Sequence, residues 1–236
     1  MTKSSPKSLP LYNSRIINTY TKLIRSRYSY INIGELLSYA KIEPYQVEDE
    51  GHWFTQEQIN LFHERLKKLS GNKEIAREAG RYAASPDALG SMRPYILGLV
   101  GPARAYEIVG RIASNFTKSS RFESRLIAPN KAEITVTPNE GVSEKLFQCE
   151  NRAGYMETIA MMFGYKPPKI EHPECIFRGG NVCRYIVSWE ESRAIYWKRM
   201  GRIAALLFFP LFVSGVFLDP HLTFTTVLPV SLLAIL

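Results

Sequence analysis

Cys149, His172, Cys175 and Cys183 are the side chains of this sequence whose types and spacing could hold one metal ion. Gly179, Gly180 and Asn181 are turn residues between two runs rich in Ile, Val, Phe and Tyr, the pattern of a β-hairpin. Cys175 and Cys183 straddle that turn an even number of residues apart, so on a hairpin they share a face and lie close together. His172 falls one short step before Cys175, and Cys149 ends an apolar, strand-like stretch from Lys145. Zinc binds four N or S ligands in a tetrahedron, and a Cys3His set fills it, leaving no position for water; such a site is structural and not catalytic. Two other readings stand beside it. A buried free cysteine often just packs as a small apolar group, and a Cys175–Cys183 disulfide suits the geometry of a hairpin.

The elements that would carry these donors come after a long helical region. A basic arm rich in Ser, Pro and Lys occupies residues 1–13, and a helical region spans 14–85. Arg15 to Tyr28 has Ile16, Ile17, Tyr20, Leu23 and Ile24 at helical spacing. Asn32 to Ala40 reads as a short helix. Thr55-Gln-Glu-Gln58 is a capping box that opens a helix through Ile59, Phe62 and Leu66, closed by Gly71. A further helix is expected from Lys73 to Ala84, and two apolar ones over Ala88–Val100 and Ala103–Phe116. Strands follow at Phe122–Ala128, Lys131–Thr137 and Lys145–Cys149, with clear alternation in Ala132-Glu-Ile-Thr-Val-Thr137. Arg152–Phe163 is the next helix, and the cysteine hairpin closes the sheet. Helices packed on a mostly antiparallel sheet make an α+β fold.

The end of the sequence has a different character. Ile203–Leu218 and His221–Leu236 carry no formal charge and flank an Asp219-Pro220 turn. They are read as a transmembrane hairpin, the second helix truncated, although each run is slightly short of the ~20 residues a span requires. Arg193, Lys198, Arg199 and Arg202 precede the first run, so the positive-inside rule places the domain before it in the cytoplasm, at a bacterial inner membrane. That reducing compartment disfavours the disulfide. Residues 190–202 form a linker helix. The net charge of +8 is uneven: residues 1–30 hold +6 and the remainder +2. A basic arm beside a membrane invites contact with anionic lipid. No nucleic-acid reading motif accompanies it, and Ile75-Ala-Arg-Glu-Ala-Gly80 is followed by no basic recognition helix. No signal peptide is read at Met1–Pro10.

The stretch Phe147–Trp189, with Glu150-Asn-Arg-Ala-Gly-Tyr-Met-Glu-Thr-Ile-Ala after the first cysteine, resembles the 4-vinyl reductase type of small-molecule-binding domain. The resemblance is strongest to the aromatic-sensing input domains of phenol- and xylene-responsive bacterial activators. It implies a structural zinc site with Cys149, Cys175 and Cys183 on the three cysteine positions. His172 stands where the family has an acidic ligand, and Glu171 or Glu174 are alternative fourth ligands. It also implies a fold shared with NO-sensing haem domains and TRAPP subunits. Ile33-Gly-Glu-Leu-Leu-Ser-Tyr-Ala-Lys-Ile-Glu-Pro and Phe54-Thr-Gln-Glu-Gln-Ile-Asn-Leu-Phe more weakly resemble ligand-binding domains of AraC-type regulators.

The resulting expectation is a sensory input domain, residues 86–189, that binds a small hydrophobic or aromatic ligand. The pocket walls would be Tyr95, Leu99, Tyr106, Ile108, Ile112, Phe116, Tyr155 and Met161. A homodimer would signal through the linker helix to a histidine kinase or cyclase. Two alternatives belong to other classes: a tetrapyrrole vinyl-reductase-like enzyme or assembly factor, and a protein–protein adaptor. No dinucleotide fingerprint, nucleophile elbow or HExxH pair supports catalysis.

Overall fold

The computed structural model describes residues 9–83, 85–89, 101–191, 193–218 and the single positions 221, 225 and 229. It begins with β1 (Pro10–Asn13), α1 (Ser14–Arg27), α2 (Ile33–Tyr39), α3 (Pro44–Glu48), β2 (Trp53–Thr55), α4 (Gln56–Ser70), α5 (Ile75–Tyr82) and α6 (Pro86–Leu89). After the undescribed stretch come α7 (Pro102–Ile112), a 3-10 turn (Ala113–Asn115), β3 (Ser120–Ala128), β4 (Lys131–Pro138), α8 (Leu146–Met162), β5 (Lys169–Glu174), β6 (Cys183–Ser188) and α9 (Arg193–Leu218). Residues up to 163 and 167–190 form one compact unit; 164–166 and 191–236 fall in a second.

Local signals explain the helix ends. The Thr55 hydroxyl accepts from Gln58 N, the Gln58 side chain reciprocates at Thr55 N, and Gly71 closes α4 at φ +65°. The apolar faces of α1, α4 and α5 meet in one core that includes Ile17, Leu23, Ile24, Phe54, Phe62, Leu66 and Ile75, each at most 1% exposed. The four-stranded sheet is antiparallel in the order β3-β4-β6-β5. Register pairs Ala132 with Val187, Ile134 with Tyr185 and Val136 with Cys183. All six are fully buried on one face, as period-two alternation requires.

The connection from β4 to β5 is α8, and it crosses α5 at a pair of glycines. A Cβ on Gly154 would sit 2.0 Å from Arg77 O, and one on Gly80 would sit 2.0 Å from Asn151 O. Only side chains without a Cβ admit backbones this close. Arg77 and Arg81 bracket the crossing by pairing with Glu157.

Two expectations need correction. Cys149 does not end a strand: Leu146 already begins α8, and Cys149 is in its first turn. The Gln148 side chain accepts from Lys145 N at 2.6 Å and starts the helix, overriding the short apolar run. Nor is a spanning hairpin supported: among the described residues no helix is long and apolar enough to cross a membrane. Within α9 the basic cluster occupies the first ten residues, leaving 203–218, sixteen residues, uncharged. At 1.5 Å per residue that run spans about 24 Å, short of a hydrocarbon core ~30 Å thick. The second run, His221–Leu236, lies almost wholly outside the described residues.

Candidate functional site

The four sulfur and imidazole donors converge. The Sγ atoms of Cys149, Cys175 and Cys183 and a ring nitrogen of His172 all lie within 4.8 Å of one another. Cys175 Sγ is 4.0 Å from both other sulfurs, and Cys149 Sγ is 3.9 Å from His172 Nδ1. All three cysteines are free and buried. Three elements bring them together: the first turn of α8, the end of β5 and the start of β6. Between β5 and β6 the chain folds into a 3-10 turn, Ile176–Arg178, with Arg178 N and Gly180 N both donating to Cys175 O at 2.9 Å. Gly179 takes φ +86°, and a Cβ on Gly180 would lie 2.7 Å from Glu174 Cγ, so this knuckle needs both glycines.

Glu171 and Glu174 are turned to other partners. Glu171 pairs with Lys169, and Glu174 pairs with Arg184 and accepts from Asn181 N. His172 is therefore the fourth member of the cluster. Its ring stacks on Tyr185 at 4.2 Å, and its Nε2 has no hydrogen-bond partner. Burial lowers its pKa, keeping the imidazole neutral. Tyr185 donates to Cys149 Sγ at 3.0 Å. The shared interaction with Cys149 holds Cys183 down as the thiolate, while Cys149 is pushed up, chiefly by Cys183 and then by burial. A neutral imidazole and a thiolate at van der Waals range are the protonation states that ligate soft cations.

A cavity of about 190 Å³ lies within the same compact unit, walled by α1, α4, α5, α7, β3 and α8. Ile16, Ile17, Phe62, Val109, Ile112, Phe116, Phe122, Phe147, Tyr155 and Met156 give it apolar walls. Of the wall residues expected from the sequence, Ile112, Phe116 and Tyr155 line it. Tyr106 is instead core: it is fully buried, its hydroxyl donates to Met156 O at 2.8 Å, and its ring stacks on Trp189. Ile108, on the same helix as Ile112, is not among the lining residues. Met161 is 47% exposed and borders a surface groove with Arg27, Arg81, Tyr82 and Glu157. Tyr95 and Leu99 lie outside the described residues.

The cavity has polar members that the sequence reading passed over. His63 lines it, stacks flat on Phe147 at 3.9 Å, and has no partner for Nε2. Burial lowers its pKa to about 4. Its signal in the sequence was a histidine inside the apolar stripe Ile59, Phe62, His63, Leu66 of an amphipathic helix. Gln148 joins Tyr12 and Gln56 in a buried hydrogen-bonded group. Arg152 pairs with Glu144, whose side chain is fully buried and also accepts from Ser119 and Ser120. Burial pushes the Glu144 carboxyl up, but Arg152 outweighs it and the group is held below the usual carboxylate range.

The fold is that of the H-NOX domains. No protein-family model matches the sequence, and no curated protein matches it. Among solved structures, an H-NOX protein from S. oneidensis in the Fe(II)NO ligation state aligns with a TM-score of 0.60 at 12% identity, over 76% of this chain and 99% of that one. An oxygen-binding H-NOX domain related to soluble guanylate cyclases, solved as the oxygen complex, aligns with a TM-score of 0.61 at 16% identity, over 76% and 95%. A structure that probes the function of haem distortion in the H-NOX family gives 0.60 at 14%, over 76% and 95%.

These findings correct two expectations. The resemblance to 4-vinyl reductase and AraC-type domains does not stand, since no family model matches and the similar solved structures are H-NOX domains, while the expected fold shared with NO-sensing haem domains is observed. Short cysteine spacings and helix caps had carried it, and neither fixes a family. The expectation of structural zinc as the cofactor is likewise overturned: the proteins of this fold are described with haem and its Fe(II), NO and oxygen states. The expected α+β architecture on an antiparallel sheet is observed.

Proposed function

We propose that this chain is a sensory ligand-binding domain whose ligand occupies the cavity among α1, α4, α7 and α8. The carrying observation is that cavity: about 190 Å³, apolar-walled and lined by α1, α4, α5, α7, β3 and α8. The H-NOX proteins of the same fold, described in NO-bound and oxygen-bound states, support a sensing role.

Haem, the group through which those proteins are described, is larger than the cavity that the described residues line. An apolar cavity of ~150 Å³ is filled by a single benzene. A tetrapyrrole macrocycle is several times that size, whereas this cavity is about 190 Å³. The ligand in this reading is a small organic molecule, hydrophobic or aromatic, that binds directly.

The donors Cys149, His172, Cys175 and Cys183 form the second part of the reading, a candidate site for one metal ion. Its support is the 4.8 Å convergence of four donors from three elements. Output passes through α9, paired with the α9 of a second copy. Tyr196, Trp197, Met200, Leu206, Leu207 and Phe209 are exposed on that helix and supply the apolar surface for pairing.

Native mass spectrometry of the full chain, purified with haem precursors in the medium, tests all three parts. The expected result is a dimer with one metal ion per chain, a small organic adduct and no haem mass. A haem adduct with a Soret band would overturn the direct-binding reading. A folded, reduced and metal-free chain would overturn the metal site.

A further inference from the structure

We propose that the ligand is a neutral, ring-sized molecule bearing one hydrogen-bonding group, and that His63 is the residue that meets that group. This rests on the cavity being the sensing site and adds the ligand's chemical class and its specificity residue.

Size sets the first limit. The cavity exceeds by only about a quarter the ~150 Å³ that holds benzene, so one ring or a fused pair of small rings fills it.

Charge sets the second. Arg152 and Glu144 are both on or behind the wall and cancel each other, with side-chain exposures of 10% and 0%. Arg152 Nη1 and Glu144 Oε2 lack further partners, but they are two halves of one ion pair. Arg15, at the outer edge, is turned to Glu50 at 2.7 Å and is 44% exposed. An ionised ligand would bring an uncompensated charge into this apolar space, which its desolvation opposes.

The third limit is an unspent hydrogen bond on an uncharged side chain. Tyr12, Gln56 and Gln148 satisfy one another. Asn151 donates to Ala76 O at 2.9 Å and to Tyr20 at 3.3 Å. The Thr19 hydroxyl donates to Arg15 O. His63 is different: it is only 9% exposed, it lines the cavity, and its Nε2 has no partner. A buried polar atom without a partner is costly in a folded protein unless something else supplies one. Because the ring stays neutral near pH 7, it offers one donor and one acceptor and imposes no charge on the ligand.

Titration calorimetry of the full chain with indole, benzene and benzoate is the test. Indole, a neutral fused ring with one N–H donor, should bind more tightly than benzene, and benzoate should not bind. His63→Phe keeps the ring stacked on Phe147 and should weaken indole about tenfold more than it weakens benzene, the loss of one hydrogen bond. An indole-to-benzene ratio untouched by His63→Phe, or benzoate binding as tightly as indole, would overturn this inference while leaving the cavity reading intact. No binding of any of the three would instead overturn the cavity reading itself. Should His63→Phe not fold, ¹⁵N NMR of the His63 ring decides on the unaltered protein: indole must shift it and benzene must not.

Discussion

Replacing Gly154 by Ala should destabilise the domain even though Ala is the better helix former. Gly154 lies inside α8, where helix propensity alone favours Ala by ~1 kcal/mol. The added Cβ, however, would lie 2.0 Å from Arg77 O and 2.8 Å from Arg77 C, both backbone atoms of α5. Ordinary contact begins at 3.4 Å, so the helices must separate by about 3.4 − 2.0 = 1.4 Å. No rotamer change can relieve a clash with backbone, so the overpacking cost sits at the upper end of its range, ~3 kcal/mol. The net loss is about 2 kcal/mol, or ~4–8 °C in Tm for a chain of this size. The separation would also carry Asn151 and Tyr155 away from the cavity wall. Urea unfolding followed by circular dichroism measures the change. Gly34→Ala is the control: in α2 its Cβ would meet nothing nearer than Asn32 Oδ1 at 3.4 Å, and it should be neutral or slightly stabilising. If Gly154→Ala unfolds at the same urea concentration as Gly34→Ala or later, α5 and α8 do not cross at backbone contact and the reasoning fails.

The pH dependence of stability should carry the mark of His63. Its folded pKa of about 4 lies below the ordinary 6.5, so only the unfolded chain takes up the proton between those values. The stabilisation is complete above pH 6.5 and is lost as pH falls towards 4, by at most about 3.4 kcal/mol; His63→Phe should flatten a urea midpoint-versus-pH curve over that window. Arg152→Met strands the buried Glu144 carboxylate and should cost ~3–5 kcal/mol. Adding Glu144→Gln to Arg152→Met should recover most of that loss, and a double-mutant cycle with no coupling would show that the pair does not act as one. At the knuckle, Gly179→Ala forces a side chain into φ +86° and should cost ~1 kcal/mol or more. Equal denaturation midpoints for that variant and the parent would argue against the left-handed turn.

Local chemistry made much of this protein legible in its sequence. The Thr55–Gln58 box and Gly71 fixed both ends of α4 because caps act over three or four residues. The alternation from Ala132 to Thr137 announced a half-buried strand, and Gly179-Gly180 between two such runs announced the knuckle that sets Cys175 beside Cys183. His172 and Cys149 were legible as types, but their convergence on the other two was decided by the packing of α8 on the sheet. Tertiary structure alone decided the cavity. Ile17, Phe62, Val109, Phe122 and Phe147 come from five separate elements, and an apolar residue on a helix face looks the same whether it packs or lines a void. That is why Tyr106 was expected on the wall and is core, and why His63 was not expected there. The close crossing at Gly80 and Gly154 was likewise invisible, because a glycine in a helix signals a close approach only once the partner backbone is in place. The likeness to other proteins divided in the same way: short spacings carried a family resemblance that does not stand, while the expected fold shared with NO-sensing haem domains is realised by the helices over the β3-β4-β6-β5 sheet, since a fold is specified by packing that no local motif encodes.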